Sequence, residues 1–170
     1  IINTTMSDFP AISQLKFPFC LKEDQTEAVN AWINNNYRGT ILYSTGTGKT
    51  EIAFECARRI ASEFSTTITT IDSPSPIDIL LMVPRIILIE QNIQRLVTYG
   101  IPREKIGAYY RKKKEVKEIT ICTYQSVVRN LDIIRRANMV IFDEVHLLRD
   151  TAKIFSKIFD VIAEDYKKAI

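Results

Sequence analysis

Gly48, Lys49 and Thr50 stand in a row at the end of the run "YSTGTGKT", residues 43–50. In a glycine-rich turn of this kind successive backbone N–H groups can point at phosphate oxygens. A lysine placed there reaches the β- and γ-phosphates, and a threonine hydroxyl next to it can ligate Mg²⁺. The general eight-residue pattern asks for glycine where Tyr43 stands, while Gly46 and Gly48 supply the bend. On this reading Ser44, Thr45, Gly46, Thr47, Gly48, Lys49 and Thr50 form a phosphate cradle. About a hundred residues later, "MVIFDEVH" closes an apolar run with Asp143, Glu144 and His146. An acid at the carboxyl end of a buried strand can hold Mg²⁺ opposite the threonine, and a carboxylate beside it can orient or deprotonate an attacking water. Thr50 and Asp143 are therefore the candidate Mg²⁺ ligands. Lys49, Asp143, Glu144 and His146 are the candidate catalytic group. His146 alone would read as an ordinary histidine, and it takes its functional reading from the D-E-x-H spelling.

Such residues meet only if strands and helices alternate to bring the two motifs to one end of a parallel sheet. The sequence supports that alternation. "TILY" at 40–43 reads as a strand running into the loop, and Ile52, Cys56, Ile60 and Phe64 mark a buried helix face after it. "ILLMV" at 79–83 reads as the next strand, stopped by Pro84. Ile86, Ile89, Ile93 and Leu96 give a second helix that ends near Gly100 and Pro102. "ITIC" at 119–122 and "MVIF" at 139–142 read as two more strands. Ile154, Phe155, Ile158, Phe159 and Ile162 give a closing helix. "DSPSP" at 72–76 has the residues of a surface loop, and "TTITTI" before it reads as a small strand or an insertion. The first sixteen residues show no period and read as extended.

At 170 residues, with 46% apolar and 25% charged residues, the chain suits one folded domain with a real core. No apolar run approaches a membrane span and no signal peptide opens the chain. The expected setting is the cytoplasm or nucleoid of a prokaryote or the nucleus of a eukaryote. Three cysteines without paired spacing and a single histidine argue against a zinc site. Net charge is +3, yet residues 103–118 hold seven basic residues against three acidic ones, a local balance of +4. That run alone reads as a solvated loop; between motifs that touch a nucleic-acid backbone it reads as a contact.

Taken together, these stretches resemble superfamily 2 helicases, and most closely the XPB-type DNA helicases. "LKEDQTEAVNAWINN" resembles the segment upstream of the phosphate loop, and "YSTGTGKTEIA" resembles a first motif that needs no glycine at its first position. "LLMVPRIILIEQNIQRLVTYGI", "IGAYYRKKKEVKEITICTYQSV" and "VIFDEVHLL" resemble the motifs that follow. The resemblance implies a RecA-like P-loop NTPase fold, an α/β sandwich of three layers with a mostly parallel sheet between helices. It implies ATP and Mg²⁺ as cofactors and Gln25 as an adenine reader, although Asp24 stands where relatives have an aromatic residue. It places Pro84, Arg85, Gly107, Arg111, Lys112, Lys113, Thr123, Tyr124 and Gln125 against nucleic acid. Tyr109 and Tyr110 fall between these positions, to stack on bases or to pack against the sheet.

The implied organisation is an N-terminal extension over 1–20 and a first motor lobe over 21–170, ending before the third motif and partnered in a longer chain by a second RecA-like lobe. Without that lobe's arginine, hydrolysis by these residues alone should be weak, since such arginines contribute roughly 10³–10⁵ in rate. The implied function is an ATP-dependent DNA helicase or translocase in repair or transcription. A restriction-type DNA translocase, an RNA-directed motor, a nucleotide switch that never moves on nucleic acid and a purely structural α/β domain stay open as alternatives.

Overall fold

The computed structural model describes residues 9–44, 48–64, 76–145, 152–164 and 169–170, with the side chains of 152–155 left aside. The expected small strand or insertion at 66–71 and most of the 72–76 loop lie outside the described residues, as do Thr45, Gly46, Thr47 and His146.

Among the described residues five strands form one sheet: β1 (Ile77–Val83), β2 (Ile106–Tyr110), β3 (Lys113–Lys114), β4 (Ile119–Thr123) and β5 (Ala137–Phe142), in the order β3-β2-β4-β1-β5. All neighbours are parallel except the short β2–β3 pair. The register sets Met82 beside both Cys122 and Phe142, and Cys122 beside Tyr109, so the carboxyl ends of four strands share one edge. Strand β1 is apolar on both faces apart from Asp78 and is buried throughout, as a central parallel strand must be when helices cover both sides.

Among the described residues six α-helices cover the sheet: α1 (Glu23–Asn34), α2 (Lys49–Arg59), α3 (Ile86–Thr98), α4 (Tyr124–Arg129), α5 (Asp132–Arg136) and α6 (Ala152–Ala163). The alternation along β1 divides the core. Ile79, Leu81 and Val83 pack with Val29 and Trp32 of α1, Ile52 and Cys56 of α2, and Ile89, Ile93 and Leu96 of α3. Leu80 and Met82 pack on the opposite face with Tyr124, Val127, Ile133, Ile134, Ile158 and Ile162. The three layers expected from the sequence are present. Cys56 and Cys122 are buried, and Cys20 is exposed. Among the described residues no helix is long and apolar enough to cross a membrane.

Four expectations need correction. Residues 40–43 form no strand, and Leu42 is 91% exposed. A strand exists only with a ladder partner, and the free edge of β5 is met by Ala169, which bridges Met139, while Ile170 N–H donates to Tyr37 O. Ile86 is exposed rather than buried. As the first residue of α3 it overhangs the sheet edge, and the packed stripe begins one turn later at Ile89. Phe159 is half exposed, its ring stacked on Phe142 at 5.3 Å instead of sunk beneath α6. The amino-terminal stretch is not simply extended: Ala11–Gln14 is a 3₁₀ turn with Ala11 and Ile12 in the core, tied down by Ala11 N–H to Glu118 Oε2 at 3.1 Å.

Candidate nucleotide site

A cleft of about 710 Å³ opens at the carboxyl edge of the sheet, lined by Gly48, Lys49, Thr50, Asp143 and Glu144 together with residues of the α1 approach and α3. Gly48 caps α2 with φ +98°, a left-handed conformation that side chains rarely adopt. A Cβ there would also stand 2.3 Å from Gln25 Nε2 and displace that amide, so the conformation requires glycine and the Gln25 contact favours it.

Lys49 follows in the first turn of α2, and its ammonium pairs with Glu144 Oε1 across 95 residues of sequence. The two motifs read from the sequence therefore converge. Asp143 leaves the end of β5 with its N–H donating to Met82 O at 3.0 Å. Burial pushes its carboxyl above the ordinary range; Lys49 pulls it down and Glu144 pushes it up. Glu144 has φ +54°, a left-handed backbone on a residue with a side chain. Such conformations carry strain and concentrate at functional sites. Thr50 shares the cleft with Asp143. Mg²⁺ uses only one or two protein oxygens and completes its octahedron with phosphate and water, so this pair fits its donor preferences. Among the described residues no group of three or more His, Cys, Asp or Glu could hold a metal ion.

Gln25 is buried, with Oε1 accepting from Lys22 N–H at 2.8 Å and Nε2 donating to Gly48 O at 3.2 Å. Its amide fastens the start of α1 to the phosphate loop. Ser44 is exposed just ahead of the loop. Tyr43, where the glycine rule failed, donates its hydroxyl to the Asp24 carboxylate, which holds that carboxyl below its ordinary range.

The candidate nucleic-acid residues divide by exposure. Arg85 is exposed and Pro84 half-buried at the end of β1, and Gln125 is exposed at the start of α4. Arg111 and Lys112 form the exposed turn between β2 and β3, and Lys113 lies 3.3 Å from Glu115. The others are buried. Thr123 is buried and caps α4, its Oγ1 accepting from Ser126 N–H at 3.3 Å. Tyr124 is buried and donates its hydroxyl to Asp143 O at 2.8 Å. Gly107 is buried inside β2, where a Cβ would meet Glu115 O at 2.6 Å. Tyr109 is buried beneath the Lys114 ammonium and Tyr110 packs on the core, so both tyrosines take the packing alternative.

Sequence reasoning missed the residues that complete the walls: Phe19, Lys22, Gln91, Asn92 and Arg95. Phe19 was read as part of an extension, yet its ring stacks on Phe17 and stands edge-on to Tyr99. Asn92 could have been noticed, since it interrupts the apolar stripe Ile89–Ile93–Leu96 with a polar residue.

A mostly parallel sheet between helices, with a lysine at a helix start paired to an acid at a strand end, has the architecture of a RecA-like lobe. Comparison with known proteins gives the particular family. Residues 19–170 match the family model described as "Type III restriction enzyme, res subunit", and the chain belongs to this family. It is 33% identical over 148 residues to the DNA 3'-5' translocase XPB2 of Sulfurisphaera tokodaii, covering 81% of this chain and 28% of that protein. Among solved structures it is similar to the UvsW helicase from bacteriophage T4, with TM-score 0.65 and 21% identity over 83% of this chain and 48% of that one. It is also similar to a hypothetical ATP-dependent RNA helicase from Sulfolobus tokodaii, with TM-score 0.62 and 16% identity over 90% of this chain and 45% of that one. The structural likenesses carry the fold alone. The chain spans little more than a quarter of the XPB2 translocase.

Proposed function

We propose that this chain is the ATP-binding first motor lobe of an ATP-dependent DNA helicase or translocase of XPB type. The observation that carries the reading is the Lys49–Glu144 pair, which sets a phosphate-reaching ammonium against the acids of the second motif inside one cleft. In this reading Lys49 holds β- and γ-phosphate oxygens, and Thr50 and Asp143 hold Mg²⁺. Glu144 orients or deprotonates the attacking water once its lysine turns to the nucleotide. The half-exposed Phe19 ring offers a stacking face for adenine beside Gln25. Ser44, Thr45, Gly46, Thr47 and His146 are assigned to the site on the sequence alone. Arg85, Arg111, Lys112, Lys113 and Gln125 contact the nucleic-acid backbone, with Pro84 shaping the turn and Thr123 and Tyr124 positioning Gln125. Weak hydrolysis by this lobe alone, work with a second lobe over 3'-5' tracking, and service in repair or transcription belong to the same proposal.

Replacing Lys49 with alanine tests the site. Loss of a charged contact to phosphate should weaken Mg²⁺–ATP binding by roughly 10–100-fold, measured by titration calorimetry, and an unchanged affinity would sink the reading. For the nucleic acid, Arg85→Ala with Lys112→Ala should weaken single-stranded DNA binding and lower the slope of log K against log salt by about 1.4. If neither changes, a nucleotide switch becomes the better description. A marked preference for RNA in the same assay would favour the RNA-directed motor.

A further inference from the structure

The α3 wall of the cleft carries polar groups that the proposed chemistry does not use. Glu51, in the first turn of α2, lies beside the phosphate loop: its Oε2 is 3.7 Å from where a Cβ on Gly48 would stand. Its Oε1 accepts from the Tyr99 hydroxyl at 2.9 Å and lies 3.7 Å from Arg95 Nε. A carboxylate at a helix N-terminus suits the helix, but it repels a polyanionic ligand held at the same place. Arg95 compensates that charge without spending itself. At 3.7 Å it forms an ion pair rather than a short hydrogen bond, and most of a guanidinium's five donors are left for another acceptor. The Arg95 side chain is 41% exposed on the cleft wall, against 13% for Glu51, so the arginine is the partner with room to turn. Its charge also acts on Asp143 across the cleft.

A second observation marks this wall as built for a ligand. Asn92, one turn earlier on α3, is 4% exposed and lines the cleft, its Nδ2 donating to Leu88 O at 2.8 Å. Among the described residues its Oδ1 has no hydrogen-bond partner. Buried polar atoms are rarely left without a partner, and this one lies on the cleft wall, where a ligand or its water shell can supply the donor.

We propose that Arg95 is a second cation for the nucleotide's phosphates, supplied from within this lobe and parked on Glu51, which Tyr99 holds in place. The inference rests on the nucleotide reading of the cleft. When a triphosphate occupies the loop, Arg95 exchanges a loose ion pair for a charge-assisted, fork-shaped contact with phosphate oxygens. Glu51 keeps the Tyr99 hydroxyl and does not become a buried unpaired charge.

Titration of ATP, ADP and adenosine against the 170-residue chain and its variants tests this. Arg95→Gln should weaken ATP roughly tenfold and leave adenosine unchanged, whereas Glu51→Gln, which still accepts from Tyr99, should tighten ATP several-fold. The proposal is overturned if Arg95→Gln binds ATP as the parent does, if ATP and adenosine weaken equally, or if Glu51→Gln weakens ATP. Should Arg95→Gln fail to fold by circular dichroism, Arg95→Lys decides. A loss confined to the phosphorylated ligands supports the proposal, and affinities equal to the parent's overturn it. Lys49→Ala separates the two readings. If it leaves ATP binding intact, the nucleotide site fails and Arg95's role with it. If it abolishes binding while Arg95→Gln has no effect, only the Arg95 inference fails.

Discussion

Asp78→Asn should stabilise the protein at neutral and alkaline pH and do little in acid. Asp78 is a carboxylate inside the otherwise apolar run of β1, 9% exposed. Burial, followed by the nearby charge of Glu118, pushes its carboxyl up to about 6, while the Asn138 side chain and Lys105 oppose the rise. Because the folded protein holds the proton more tightly than the unfolded chain, the group's favourable contribution is fully present below about pH 4. It is lost as pH rises through about 6. Above that, ionised Asp78 costs about 1.4 kcal/mol for each unit separating the folded and unfolded values, or roughly 3 kcal/mol for a gap of about two. Asparagine keeps the shape and removes the charge. Urea unfolding of both proteins at intervals from pH 4 to pH 8 reads the difference directly. The stability gap in favour of Asp78→Asn should open between pH 4 and 6 and level off near 2–3 kcal/mol by pH 8. A gap that stays flat across that range, or asparagine being the less stable at pH 8, would refute the reasoning.

Two substitutions probe the supports beneath the site. Gly107→Ala places a methyl group 2.6 Å from the Glu115 carbonyl oxygen and 3.0 Å from its carbon, both backbone atoms. Overpacking of this kind should cost roughly 1–3 kcal/mol in urea unfolding, and an unaffected midpoint would show that the β2–β3 hairpin yields freely. Tyr124→Phe deletes the hydroxyl that donates to Asp143 O. It should cost about 0.5–1.5 kcal/mol of stability and loosen the turn that presents Asp143 and Glu144, seen as faster amide exchange at those residues; unchanged exchange would refute the coupling.

Strands β1, β4 and β5 were legible because they are short apolar runs bounded by turn residues, and α2 and α3 were legible from their spacing. Strand β2 and the Lys113–Lys114 strand β3 were not read as strands, the latter being a pair of exposed lysines with no apolar run to mark it. What failed had a tertiary cause. Residues 40–43 have the composition of a strand, but pairing belongs to two partners, and a sequence window contains only one. Ile86 and Phe159 keep the helical period yet lie where the sheet beneath them ends or where a ring is the neighbour. The turn at Ala11–Gln14 had too few residues for any period to appear, although Ala11 and Ile12 bury as deeply as any strand residue.

The candidate site shows a different division. Residues whose chemistry needs a fixed local spacing, Gly48-Lys49-Thr50 and Asp143-Glu144, could be named in advance because the backbone itself sets their geometry. Residues that reach the cleft from another element could not, since no local pattern ties Phe19 or Arg95 to Lys49. Exposure divides the nucleic-acid assignment: "TYQ" reads as three contacts in the sequence, and in the fold Thr123 and Tyr124 are buried with their hydroxyls on Ser126 and Asp143. That use is itself informative. The Tyr124 hydroxyl bonds directly to the backbone of the strand-end acid, and Gln125 beside it is exposed on the sheet edge.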